Sequence, residues 1–270
     1  MRAIILLTAA LAAATACATN SALAQQAGPH SGHGNTSAAY PAAADIHQEQ
    51  KHAPNLADHV MDHDHPLAMV RLDQLEAREN DGGALEGDAW YGNDRDKLWL
   101  KADWERGDGD TEKAELQALY SRAIAPYWDL QMGVRHDFEA ESSSRNWATI
   151  GLNGLAPYFF EINPALFVGD NGDSALRLQA EYELLFTQRW ILSPEFEADV
   201  FGQNDREAGT GAGLTNVEVG LRLRYEITPQ FAPYFGVHYE KKFGNAADFA
   251  RDDGESVSGT SWVIGLRTWF

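Results

Sequence analysis

Cysteine is almost absent from this sequence of 270 residues, with Cys17 as the single example. One cysteine forms no internal disulfide and supplies no group of thiolates for a metal ion. Basic residues are also scarce, because 21 Lys and Arg stand against 40 Asp and Glu, for a formal net charge of −19. Nucleic acids are bound by basic surfaces, so this balance predicts no nucleic-acid partner.

Long apolar runs are missing after the first residues of the chain. Beyond residue 24 no stretch reaches 18 consecutive apolar residues, so no transmembrane helix is predicted there. Residues 1–24 begin with one Arg, continue as an apolar run and end in Ala-Leu-Ala. This is the layout of a secretory signal peptide. The alternative of a membrane anchor is disfavoured, because the run is shorter than the roughly 20 residues that a bilayer requires.

Cys17 falls inside this leader. Cleavage after Ala24 would remove it, leaving a mature chain without a thiol. A lipoprotein would instead be cut just before Cys17, but the preceding Ala14-Thr15-Ala16 lacks the usual leucine. Both alternatives take the chain out of the cytoplasm.

Residues 25–66 have few large apolar side chains and are rich in Ala, Gly, Pro, Ser and His. Such a segment cannot bury enough apolar surface to offset its chain entropy. We therefore predict three parts: a signal peptide over 1–24, a disordered tail over 25–66 and a folded domain over 67–270.

The folded domain shows an apolar–polar period of two. In TNVEVGLRLRYEI at 215–227, Val, Leu and Tyr alternate with Asn, Glu and Arg. Strict alternation predicts a strand with one apolar and one charged face. The same pattern recurs and predicts twelve strands, or ten if the first two, which alternate poorly, are left out. The predicted strands are 69–78, 85–92, 97–106, 112–123, 127–138, 145–155, 158–168, 174–186, 190–201, 215–227, 231–243 and 259–270.

Three features favour a membrane barrel over a soluble β-protein. Apolar strand faces tend to begin or end in aromatic residues, short connections alternate with longer polar ones, and the chain ends in Trp269-Phe270 on a strand. Outer-membrane barrels have aromatic girdles, tight periplasmic turns and longer outer loops. The predicted fold is all-β, a transmembrane antiparallel up-and-down β-barrel that contacts outer-membrane lipid. An even strand number puts both ends of the barrel on the periplasmic side, and the tail with them.

In such a barrel the charged strand faces line the lumen. Carboxylates outnumber arginines on these faces, so the lumen is predicted to favour cations. The alternative is an interior filled by paired charges and water. His238 shares the lumen phase, while His136 falls in phase with the lipid-facing Val134. The predicted lining residues are Asp103, Glu105, Asp129, Arg135, Glu161, Glu181, Glu183, Glu195, Glu197, Glu218, Arg222, Arg224, Glu226, Glu240 and Arg267.

Seven of the nine histidines lie between residues 30 and 65. The densest stretch has histidine at nearly every second position and two methionines. Imidazole suits copper, zinc and nickel, whereas thioether selects copper(I). The pattern leaves copper, another metal or no ligand open. The candidate metal ligands are His59, Met61, His63, His65 and Met69, with His30 and His33.

Several runs of the folded domain are distinctive. They are ALYSRAI at 118–124 with WD at 128–129 and GVR at 133–135, GLAPYFFE at 154–161, EYELL at 181–185, GLRLRYEI at 220–227, APY at 232–234 and GLRTWF at 265–270. Together these runs resemble the copper resistance protein B family. The resemblance covers about residues 69–270. It implies an outer-membrane protein of copper tolerance that binds Cu(I) or Cu(II) beside periplasmic copper-binding proteins such as a multicopper oxidase. Family members often carry Met-Asp-His-Ser repeats, of which this tail has only Met61-Asp62-His63.

The leading expectation is therefore a non-enzymatic barrel that sequesters copper or transfers it at the outer membrane. A structural or adhesion barrel without a metal role is one alternative. An outer-membrane hydrolase is another, and His136 near Ser142–Ser144 is the only group that suggests it.

Overall fold

The computed structural model describes residues 65–79, 82–107, 110–138, 144–206 and 208–270. Residues 1–64, which include the predicted signal peptide and nearly all of the predicted tail, lie outside the described residues. Pro66–Phe270 forms one compact unit, which contains every strand of the described residues. Among the described residues, no helix has the length and apolar character to cross a bilayer.

Thirteen strand segments make up one antiparallel sheet. They are β1 (Leu67–Arg78), β2 (Gly83–Gly92), β3 (Asp96–Gly107), β4 (Asp110–Ala125), β5 (Trp128–Asp137), β6 (Arg145–Ala156), β7 (Phe160–Gly169), β8 (Ser174–Glu181), β9 (Leu184–Leu185), β10 (Trp190–Phe201), β11 (Gly213–Tyr225), β12 (Phe231–Lys242) and β13 (Ser258–Trp269). A 3-10 turn covers Pro157–Phe159, and one helix, α1, covers Gly244–Asp253.

The segments β8 and β9 together form one strand of the barrel wall. Both pair with β10, and the break at Tyr182 and Glu183 lies beside Pro194 of β10. Pro194 accepts a hydrogen bond from the Tyr182 amide at 3.1 Å but has no N–H with which to return one. The wall therefore has twelve strands, and the predicted number of twelve is confirmed.

The sheet closes on itself into an up-and-down barrel. Each strand pairs with the next along the chain, and β13 pairs with β1. The last residue takes part in this seam, because Phe270 and Val70 exchange both backbone hydrogen bonds, at 2.8 and 3.0 Å. A closed sheet has no free edge along which another strand could add.

A β-bulge explains why the first predicted strand alternates poorly. The register of β1 shifts between Leu72 and Gln74 against β2. Arg71 on one side of the shift and Glu76 on the other both make ion pairs with interior residues. The bulge thus changes the phase of alternation within β1 while keeping its charged side chains inside.

Connections at the two ends of the barrel differ in length. At one end, called here the short-turn end, the connections are 93–95, 126–127, 157–159, 186–189 and 226–230. The first residue of β1 and the last residue of β13 also lie at this end. At the other, the loop end, they include 202–212 and 243–257. The predicted strands 97–106 and 112–123 leave a connection over 107–111, and this prediction is wrong because β3 extends to Gly107 and β4 begins at Asp110. The connection between the predicted strands 231–243 and 259–270 contains α1, and Gly254 caps the end of this helix in the left-handed conformation (φ 81°).

The two faces of the wall have opposite chemistry. Outward side chains are apolar and exposed, as for Ile264 at 68% and Leu98 at 62% exposure. Inward side chains are polar or charged and buried, as for Ser121 at 0% and Arg222 at 4%. An apolar exterior around a charged interior is the arrangement of a transmembrane β-barrel, in which lipid covers the outer face. This confirms the predicted fold class.

Candidate functional site: the charged barrel interior

The barrel interior is the main concentration of charged side chains in the described residues. It contains two neighbouring cavities of about 140 and about 470 Å³. Eleven of the fifteen predicted lining residues line them: Asp103, Glu105, Asp129, Glu161, Glu181, Glu195, Glu197, Glu218, Arg222, Arg224 and Arg267.

Negative charge dominates this lining. Twelve carboxylates face eight Lys and Arg side chains. The carboxylates are Asp73, Glu86, Asp88, Asp103, Glu105, Glu115, Asp129, Glu161, Glu181, Glu195, Glu197 and Glu218. The basic residues are Arg71, Arg78, Lys101, Lys113, Arg177, Arg222, Arg224 and Arg267. Such an interior attracts cations and repels anions.

One ion-pair cluster lies toward the loop end. The carboxylate of Glu115 on β4 is 2.9 Å from Arg135 and 3.0 Å from Arg177. Arg177 in turn is 2.9 Å from Asp199, and Arg135 is 2.6 Å from Asp137. Each guanidinium therefore sits between two carboxylates, which offsets part of its desolvation.

A second contact crosses the lumen. Lys113 on β4 lies 2.6 Å from Asp103 on β3 and 3.2 Å from Glu197 on β10. Five steps around the wall separate β4 from β10, so the Lys113 side chain links nearly opposite strands. This link crosses the path that an ion would follow along the barrel axis.

A third cluster lies around Arg222 of β11. Its guanidinium forms ion pairs with Glu76 of β1 and Glu195 of β10, and it donates to the Gln74 amide oxygen at 3.1 Å. The Tyr234 hydroxyl donates to Glu76 at 3.1 Å. Because β11 and β1 are not neighbours in the wall, these bonds also cross the interior.

Toward the short-turn end, arginines again bridge carboxylates. Arg267 of β13 lies 3.1 Å from Asp73 and 3.0 Å from Glu183. Glu183 also accepts from Arg224 at 2.7 Å. The alternative of an interior filled with paired charges is thus confirmed in large part, and the lumen is traversed by side chains at several levels.

Carboxylates nevertheless face one another across adjacent strands. Glu86 is opposite Asp103, Glu161 is opposite Glu181, and Glu197 is opposite Glu218. Opposed like charges in a sheet are unfavourable unless a cation lies near them. Lys113 already lies beside Asp103 and Glu197 and partly neutralises two of these pairs, and the negative charge that remains suits a bound or passing metal ion.

An inward-facing aromatic cluster was not predicted from the sequence. Phe167 and Trp147 are buried with Ala175, and Phe201 packs against them. The Arg135 guanidinium lies 4.6 Å from the centre of the Phe167 ring, and the Trp147 indole donates to Asp137 at 2.8 Å. The alternation of the sequence contains a signal for this cluster, because Phe167 lies on the same face of β7 as the inward-facing Glu161.

The predicted metal ligands are mostly not described. His30, His33, His59, Met61 and His63 lie outside the described residues. His65 is exposed just before β1, whereas Met69 lies within β1 opposite Trp90 of β2. Met69 is therefore a wall residue, and its position is fixed by the sheet.

The two remaining histidines occupy different faces. His238 on β12 is 5% exposed and lines the smaller cavity. His136 near the loop end of β5 faces outward, where its Nδ1 is 2.7 Å from the Asn146 amide oxygen. Of the serines near it in the sequence, Ser142 and Ser143 lie outside the described residues. No three His, Cys, Asp or Glu side chains form a metal-binding group within the described residues.

Comparison with known proteins gives matches over the barrel. The family model described as "Copper resistance protein B precursor (CopB)" matches residues 67–270. The chain is 44% identical over 220 residues to "Copper resistance protein B" of Escherichia coli, covering 80% of this chain and 74% of that protein. It is 46% identical over 201 residues to "Copper resistance protein B homolog" of Pseudomonas syringae pv. tomato (strain ATCC BAA-871 / DC3000), covering 73% of this chain and 68% of that protein.

Solved structures with similar folds include porins. The NanC porin aligns with a TM-score of 0.48 at 13% identity, over 75% of this chain and 99% of its own. The KdgM porin aligns with a TM-score of 0.47 at 11% identity, over 75% and 99%.

Proposed function

Since this chain belongs to the copper resistance protein B family, we propose that it is a copper-binding outer-membrane barrel that contributes to copper resistance. It sequesters copper ions or transfers them at the membrane. The observation that carries the proposal is the excess of carboxylates over Lys and Arg along a lumen enclosed by an apolar outer wall. Such a lumen concentrates cations inside the bilayer.

In this proposal the tail supplies the first ligands for copper. The mature chain begins after a signal peptide, and its histidines and methionines bind copper in the periplasm. The proposed ligands are His30, His33, His59, Met61, His63 and His65, with Met69 at the start of the wall. Imidazole and thioether together suit copper in both oxidation states. The first residue of β1 and the last residue of β13 lie at the short-turn end, which we propose to be the periplasmic end of the barrel.

We assign no reaction to the chain. Copper ions are its cargo, outer-membrane lipid surrounds the wall, and periplasmic copper-binding proteins or a multicopper oxidase are its proposed partners. A structural or adhesion barrel is the competing function, and it predicts that the tail has no effect on copper.

The test compares the mature wild-type protein with a tail-silent variant, defined as the full chain with the seven histidines between residues 30 and 65 replaced by Ala. Copper(I) and copper(II) are titrated into both proteins in detergent, and cells expressing each are grown on copper. We expect the tail-silent variant to bind fewer ions and to give less tolerance. Equal stoichiometry and equal growth would contradict a copper role for the tail.

A further inference from the structure

His238 is the one histidine of the described residues that is buried inside the barrel. Its ring lines the smaller cavity, and its exposure is 5%. The Nε2 atom is buried and has no hydrogen-bond partner among the described residues. A buried ring nitrogen without a partner is unfavourable, so such a group usually serves a ligand, an ion or a water molecule.

An acidic oxygen of Glu218 lies close to this nitrogen. Glu218 Oε2 lies 3.8 Å from His238 Nε2. The other oxygen, Oε1, accepts a hydrogen bond from the Asn216 amide at 2.6 Å. Asn216 therefore orients the carboxylate so that one oxygen remains directed toward the histidine.

This spacing suits a metal ion between the two atoms. First-row divalent ions such as zinc bind imidazole nitrogen and carboxylate oxygen at about 2.0–2.2 Å. A nitrogen and an oxygen 3.8 Å apart can therefore share one ion at a wide angle. The distance is too long for a direct hydrogen bond.

The surroundings carry charges of both signs, and carboxylates outnumber Lys and Arg in the lining of this cavity. Glu218 is opposite Glu197 on β10 and opposite Glu240 on β12, which makes a row of three carboxylates on adjacent strands. Gly220 of β11 is opposite His238, and the Arg222 guanidinium lies over Gly220. The basic groups Arg78 and Arg222 also line this cavity, and both are engaged by Glu76.

We propose that His238 and Glu218 form a copper(II) site inside the barrel, with water completing the coordination shell. Imidazole and carboxylate are ligands that suit copper(II) better than copper(I). A site with only two protein ligands binds its ion weakly. Weak binding suits a transient site during ion transfer rather than long-term sequestration. This inference rests on the proposed copper function but is independent of the tail.

The test uses the tail-silent variant, in which only His136 and His238 remain as histidines. Copper(II) is titrated into the protein in detergent, and electron paramagnetic resonance reports the nitrogen ligands. We expect one ion per barrel with coupling to a single nitrogen. In this background, His238→Gln should weaken binding at least 10-fold and remove that coupling. The outward-facing His136→Gln is the matched control and should leave both unchanged.

A second variant protects the test from a folding failure. Glu218→Gln keeps an oxygen to accept from Asn216 but removes the charge, and it should also weaken binding at least 10-fold while the nitrogen coupling of any bound ion remains. Retained affinity in folded His238→Gln or Glu218→Gln, or no copper bound by the tail-silent variant, would overturn the inference. The tail proposal is judged separately, by the difference between the wild-type and tail-silent proteins.

Discussion

Lys113 on β4 and Glu197 on β10 meet across the barrel interior, with Nζ and Oε1 3.2 Å apart. Asp103 holds the same ammonium at 2.6 Å from its own side of the wall. The ammonium thus occupies a position between two carboxylates where a free cation would also be favoured. Part of the negative charge of the lumen is therefore neutralised by side chains of the barrel itself, such as Lys113.

Removing the positive charge of Lys113 should open the lumen to ions. We expect Lys113→Gln to raise single-channel cation conductance in planar lipid bilayers severalfold, because the link across the lumen is lost and Asp103 and Glu197 each lose one cationic partner. The matched control is Lys242→Gln, since Lys242 pairs with the exposed Glu255 at 2.9 Å near the loop end. An exposed pair of that kind contributes about 0–1 kcal/mol, and its loss should not change conductance. Equal conductance in both variants would contradict a blocking role for Lys113.

Two carboxylates in one row should respond oppositely to neutralisation. Glu86, Asp103 and Glu115 lie opposite one another on β2, β3 and β4. Glu86→Gln should raise the free energy of unfolding by about 0.2–1 kcal/mol, because it removes a like-charge contact. Glu115→Gln should lower it by about 3–5 kcal/mol, because Arg135 and Arg177 lose a buried partner.

Guanidinium unfolding in lipid vesicles measures both changes. The two variants serve as controls for each other, because each replaces one glutamate by glutamine in the same row. Destabilisation of similar size in both would show that the opposed charges at Glu86 and Asp103 are already neutralised.

The outer face can be tested with a single charge. Ile264 in the middle of β13 is opposite Phe235 of β12 and faces outward. Ile264→Arg should destabilise the folded barrel by roughly 2–4 kcal/mol, because an arginine near the middle of the bilayer is poorly solvated. Ile264→Leu is the conservative control and should change stability by less than about 1.5 kcal/mol. A harmless Ile264→Arg would mean that this face is not covered by lipid.

Alternation predicted most of this fold because it needs no long-range information. A period of two in 215–227 is enough to predict β11 and the face on which Arg222 lies. The prediction was weakest at β1, where the bulge after Leu72 changes the phase. A bulge depends on the register between two strands, and no single segment of sequence contains that register.

The site was harder to predict than the wall. Phase alone put Glu218, Arg222 and His238 inside the barrel, and all three are there. It could not tell which charges neutralise which, because partners such as Glu76 and Arg222 are far apart in the chain and meet only through closure. The sequence of the tail shows that it is rich in histidine. This composition indicates which ligand types are present but not how they are arranged around an ion.

The seam between β1 and β13 should depend on the last two residues. We expect deletion of Trp269-Phe270 to reduce the fraction of heat-modifiable, folded barrel on unboiled gels, because Phe270 and Val70 exchange two backbone hydrogen bonds. Replacing Phe270 with Leu keeps those bonds and serves as the control. Unchanged folding of the deletion variant would show that the remaining pairs of the seam suffice.

That seam also dictates an order of assembly. Every other junction in the wall joins strands that follow each other along the chain, so each can form as a local hairpin. The junction of Val70 with Phe270 joins residues from opposite ends of the domain, and its loop-closure entropy is the largest of all. Until it forms, β1 and β13 expose a full row of unpaired backbone groups at two edges, which are open to pairing with other chains. The junction with the largest loop-closure entropy is therefore also the one that ends the chain's exposure to aggregation.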